Sequence, residues 1–179
     1  MAGAPSSTAL TALAASSRVA LARLQHLGTP VPDDESKPQF SYEDFSPNET
    51  LYLGTLFTWL ELLEGTVDAL GPAIAEMEAN MESDSAKTAM LMPIGVWVHL
   101  SADAQTISSP ETFAVAHEHA QEALAHLGQA AELISKGVVS GNATAISMGS
   151  GDIYLANDHV GALMAELPFE RPKRHEIID

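Results

Sequence analysis

From Ser46 onward the apolar residues of this chain recur at intervals of three and four, and the intervals fall into four blocks. Residues three and four apart share one face of an α-helix, so each block predicts one amphipathic helix. In the first block Tyr52, Leu56, Trp59, Leu63, Val67, Leu70, Ile74, Met77 and Met81 form one stripe. Ser46, Pro47 and Glu49 in front of it have the order of a capping box. The stripe keeps its phase through Gly71 and Pro72, which predicts one helix over 47–82, kinked near the proline.

The second block, Ala86, Met90, Ile94, Trp97, Leu100, Ala104 and Ile107, predicts a helix over 86–107 capped by Asp84 or Ser85. Pro93 inside it should kink the helix or mark its true start. The third block runs from Ser109 to Gly137 and is rich in alanine: Phe113, Ala116, Ala120, Leu124, Leu127, Ala131 and Ile134. Ser109 and Pro110 read as N-cap and first helical residue, and Gly137 reads as the stop. The fourth block, Ile146, Gly149, Ile153, Ala156, Val160, Met164 and Leu167, predicts a helix from an Asn142 cap to about Glu166. Gly149 and Gly151 weaken it, and close contact with a neighbouring helix is the expected reason.

Four stripes with short connections and no strand-like alternation predict an all-α fold, an up-and-down antiparallel helical bundle. An N-terminal helix is added over 6–27, with Leu10, Leu13, Leu21, Leu24 and Leu27 on its apolar side and Gly28 as its stop. The expected organisation is an N-terminal helix in 1–28, an acidic proline-rich linker in 29–46, the bundle in 47–167 and a tail in 168–179. Phe40, Tyr42 and Phe45 are expected to pin the linker to the bundle side. The linker is long enough for the N-terminal helix to pack on its own chain or swap onto another.

Composition narrows the classes of function. Cysteine is absent, which excludes disulfides, thiol nucleophiles and thiolate metal sites. The formal net charge is −16, and between residues 47 and 167 Lys87 and Lys136 stand against sixteen acidic residues. Such a surface repels nucleic acid and anionic lipid and attracts cations or a basic partner. No basic residue precedes the first leucines, so a secretory signal is not expected. No apolar run is long enough to span a membrane, and a cytoplasmic location is the expectation. The tail concentrates Arg171, Lys173 and Arg174, a basic segment that suits an acidic body, its own or a neighbour's.

Candidate chemistry gathers on the third helix. His119, Glu122 and His126 share one flank of its stripe, and imidazole with carboxylate suits zinc, iron or manganese. The spacing is neither HExxH nor the paired Glu-x-x-His pattern of di-iron bundles. His119 and His126 are also two turns apart, roughly 10 Å along the axis, too far to share an ion directly. On these terms Glu122 would simply pair with His126 at the surface. His117 should be half-buried beside Phe113 and Leu124, and His99 exposed. The glycines of Gly149-Ser150-Gly151-Asp152 lack the preceding strand and following lysine of a phosphate loop. No serine has the setting of a catalytic nucleophile, and the methionines at helical spacing read as core.

The sequence therefore points to a non-enzymatic acidic bundle that acts through protein–protein contacts, with a protein partner or self-association as a homo-oligomer. No catalytic residue and no cofactor is assigned. A bundle that binds a metal or small ligand through His119, Glu122 and His126 is the first alternative. An acidic mimic of nucleic acid, its charges in phosphate-like rows on one face, is the second.

Overall fold

The computed structural model describes residues 41–80 and 83–169. The N-terminal helix expected over 6–27, most of the linker and the basic tail lie outside the described residues. Four α-helices make up the body: α1 (Pro47–Ala79), α2 (Asp84–Ala104), α3 (Ala114–Ser140) and α4 (Ala143–Glu166). Short 3-10 turns lie at Tyr42–Asp44 and Glu111–Phe113, and no strand occurs among the described residues. Each helix packs against the next, α1 on α2, α2 on α3 and α3 on α4, in the up-and-down order the pattern predicts.

Local chemistry sets the helix ends. Ser46 accepts from the Glu49 backbone while the Glu49 carboxylate takes the Ser46 N–H at 2.9 Å, completing the capping box. Asn142 accepts from the backbone of Thr144 and Ala145, fixing the start of α4. Helix α1 runs unbroken past Pro72, and α2 runs past a buried Pro93.

Several boundaries differ from expectation: α1 ends at Ala79 and α2 at Ala104, short of the expected 82 and 107. Ser83, rather than Asp84 or Ser85, caps α2. Ser109 does not cap the third helix: Pro110 opens a 3-10 turn and the α-helix proper starts at Ala114. Gly137 does not stop that helix either. It lies buried within α3, where a Cβ would sit 2.9 Å from the Asn142 carbonyl oxygen and against Ile146. The helix ends at Gly141, in the left-handed region at φ 68°, which glycine adopts without strain. Two glycines near one helix end compete for the same role, and the first was needed for packing.

Among the described residues, most of the predicted stripe positions of each helix are in the core, with Ile107, Val160 and Met164 packed against it partly buried, and Trp97, Phe57 and Phe113 are the largest side chains fully enclosed. Trp97 donates its indole N–H to Thr66 at 2.9 Å, and Thr66 passes its own proton to the Leu63 carbonyl at 2.6 Å. This satisfies a buried polar chain between α1 and α2. Phe45 packs on Phe113 and Phe169, so the linker's last aromatic does pin it to the bundle, while Tyr42 stays exposed. Phe169 is buried too, which extends the packed body beyond Leu167.

Helices α3 and α4 make the closest pair. Small residues permit it: Ala123, Ala130, Gly137, Gly149 and Ala156 are buried. A Cβ on Gly149 would fall 2.7 Å from Ile134 and 3.0 Å from the Ala130 carbonyl oxygen. Gly151 has open space around its missing Cβ, so close packing accounts for one glycine of the pair and not the other. The close approach also brings the polar flanks of α3 and α4 within side-chain reach.

Candidate metal centre

Helix α3 carries His119, Glu122 and His126 along the flank that borders α4. Helix α4 runs back alongside, and its own flank carries Asp152 and His159. His119 and His126 are seven residues apart on α3, and so are Asp152 and His159 on α4. Seven residues make nearly two turns, so each pair stays on its flank and the two flanks face each other.

His159 stands between the α3 histidines. Its ring centroid is 5.6 Å from that of His119 and 5.8 Å from that of His126, the latter nearly parallel at 22°. One donor atom each from Glu122, His126 and His159 fall within 4.8 Å of one another. Donors around a tetrahedral zinc ion, with bonds of about 2.0 to 2.2 Å, lie roughly 3.3 Å apart. The 4.8 Å span exceeds that spacing by about 1.5 Å at most.

Each of the two histidines has its Nδ1 engaged by a neighbouring side chain. His126 Nδ1 lies 3.3 Å from Asp152 Oδ1, a hydrogen bond in which the ring N–H donates to the carboxylate. That leaves Nε2 as the free nitrogen of His126. His159 Nδ1 lies 3.3 Å from His119 Nδ1, where one ring donates and the other accepts. With His159 as donor, its Nε2 is free as well. In protein metal sites the second ring nitrogen of a ligating histidine usually donates to a carboxylate or another acceptor.

The structure thus groups the sequence candidates differently from expectation. Glu122 and His126 belong to the three-donor cluster; His119 does not, and it serves His159 instead. The carboxylate that pairs with His126 is Asp152, where Glu122 was expected. The distance objection to His119 and His126 sharing an ion does not arise, because the third donor comes from the neighbouring helix. Asp152 and His159 were missed. Their spacing on α4 does not show which residues of α3 they face, and only the pairing of the two helices does.

Among the described residues, His117 and His99 lie outside this cluster. His117 is buried, more deeply than expected, and lies 3.1 Å from the Tyr52 hydroxyl. Burial pulls the His117 imidazole below its ordinary range, against a smaller opposing effect of its hydrogen bond to the Ile107 backbone. Burial likewise holds the Tyr52 phenol above the usual tyrosine range. His99 is exposed. The Gly149–Asp152 segment is helical, with the Asn142-capped N-terminus two turns away, and does not form a phosphate loop.

No protein family, curated protein or solved structure matches this chain. No helix among the described residues is long and apolar enough to cross a membrane.

Proposed function

We propose that this protein is a metal-binding helical bundle that takes up a divalent transition cation through Glu122, His126 and His159. The observation that carries the reading is the convergence of those three donors from two helices to within 4.8 Å. Two imidazoles and one carboxylate form a donor set suited to zinc, cobalt, nickel or iron, and a poor one for calcium or magnesium, which require oxygen cages. The strongly acidic surface adds a long-range attraction for any cation.

Isothermal titration of the chelator-stripped full chain with zinc tests this. Saturable zinc uptake that His126→Ala and His159→Ala each abolish supports the site. Uptake unchanged by either substitution, or no uptake, refutes it.

Contact with a second copy or a protein partner remains a compatible mode of action. It is favoured by apolar side chains on the outer face of α3 and α4, where Val115, Met148 and Leu155 are exposed. Nucleic-acid mimicry has no comparable support. It needs acids aligned on one face, and exposed acidic residues occur on all four helices, for example Asp68, Asp103, Glu132 and Asp158.

A further inference from the structure

We infer that a second copy of this chain docks on the outer face of α2, the two α2 helices packing antiparallel about Gly95. The inference stands apart from the metal centre, which lies on α3 and α4. From Thr88 to Ala102, helix α2 holds no aspartate, glutamate, lysine or arginine. Its inner side buries Met90, Ile94, Trp97 and Leu100. The outer side is apolar as well: Met92 and Val98 are left 72% and 52% exposed. A helix that is hydrophobic all round belongs in an interior, and an exposed apolar strip along it marks a contact surface.

Spacing makes the strip one continuous face. Thr88, Leu91, Gly95, Val98 and Ala102 step by three, four, three and four residues, the spacing of a packing seam. Gly95 lies near the centre of α2, and a Cβ added there would have no neighbour within 4 Å. It is the low point of the face, where a second helix can come close.

Charge selects both the occupant and its direction. The chain carries a formal −16, so two copies repel through their acidic faces and meet with least cost where neither bears charge. Lys87 and Asp103 bound the strip, eight residues to either side of Gly95. In an antiparallel pair centred on Gly95, Lys87 of each copy comes level with Asp103 of the other. Asp84 then lies beyond that aspartate, past the helix end at Ala104. A parallel pair would set Asp84 beside Asp84 and Asp103 beside Asp103. Bringing opposite charges level and keeping like charges apart fixes the register. A face that pairs with itself in this way is what a twofold dimer requires. The strip has no lysine or arginine to meet a lipid headgroup, and a basic partner is drawn to the acidic faces elsewhere.

Sedimentation equilibrium of the full chain in chelator, so that no metal takes part, tests this. The expected result is a dimer that becomes a monomer in Met92→Glu, with the helical circular dichroism unchanged because Met92 is exposed. Lys87→Asp and Asp103→Lys should each weaken the dimer roughly 3- to 10-fold, and the two together in one chain should restore it. The two substitutions move the net charge in opposite directions, so a loss in both reports the pairing. A chain that stays monomeric at high concentration overturns the inference and leaves the face to residues 6–27 or to a foreign protein. A dimer that Met92→Glu leaves intact overturns it too. A dimer that both charge substitutions leave unchanged overturns the antiparallel register.

Discussion

His126 on α3 and Asp152 on α4 are joined by a 3.3 Å contact between Nδ1 and Oδ1, each side chain only about a fifth exposed. A carboxylate in this position fixes the orientation of the imidazole. Asp152→Ala should therefore weaken zinc binding by roughly 10- to 100-fold without removing a ligand, the usual cost of losing such a partner. Competition titration against a chromophoric chelator measures it. Affinity unchanged in Asp152→Ala would show that the contact has no bearing on the metal.

His119 provides a graded comparison. It touches His159 but stands outside the donor cluster, so His119→Ala should cost less affinity than His159→Ala. If His119→Ala abolishes binding as completely as His159→Ala does, His119 is itself a ligand and the assignment of roles is wrong. The same competition titration ranks the two.

The glycines of the α3–α4 contact should separate cleanly in stability. Gly137→Ala and Gly149→Ala each push a methyl into occupied space, against Ile146 and Ile134, and overpacking of this kind costs about 1–3 kcal/mol. Gly151→Ala meets nothing and relieves the entropic cost of a helical glycine, so it should stabilise by about 0.5–1 kcal/mol. Urea melts read both. A destabilised Gly151→Ala or a neutral Gly149→Ala would contradict the packing described.

His117 should make stability fall in mild acid. Burial lowers its folded-state pKa below the ordinary 6.5, so the unfolded chain binds the proton more readily. Its contribution is fully present above about pH 6.5 and is lost as pH falls through the lower folded-state value. Denaturant melts from pH 7.5 to 5.5 should show this slope, and His117→Phe should reduce it. An equal slope in the variant would assign the acid sensitivity to other groups.

Much of the fold was legible because helical periodicity records burial directly. Tyr52, Leu56, Trp59, Leu63, Leu70, Ile74 and Met77 are buried, and the Ser46 and Asn142 caps appear as read. Gly137 was misread because a glycine needed for close contact and a glycine needed for a turn look alike in sequence. Only the neighbouring Ile146 distinguishes them. The site was half legible. Glu122 and His126 lie one turn apart on one helix, which sequence shows. Their third partner, His159, is brought in by the pairing of α3 with α4, and spacing along one helix cannot reveal a contact across two.

X-ray absorption at the zinc edge of the zinc-loaded full chain tests the central claim most directly. The account predicts a first shell of nitrogen and oxygen with the outer-shell scattering of imidazole rings, lost when His126 and His159 are both replaced by alanine. A shell of oxygen alone, or an imidazole signal that survives the double substitution, would contradict it.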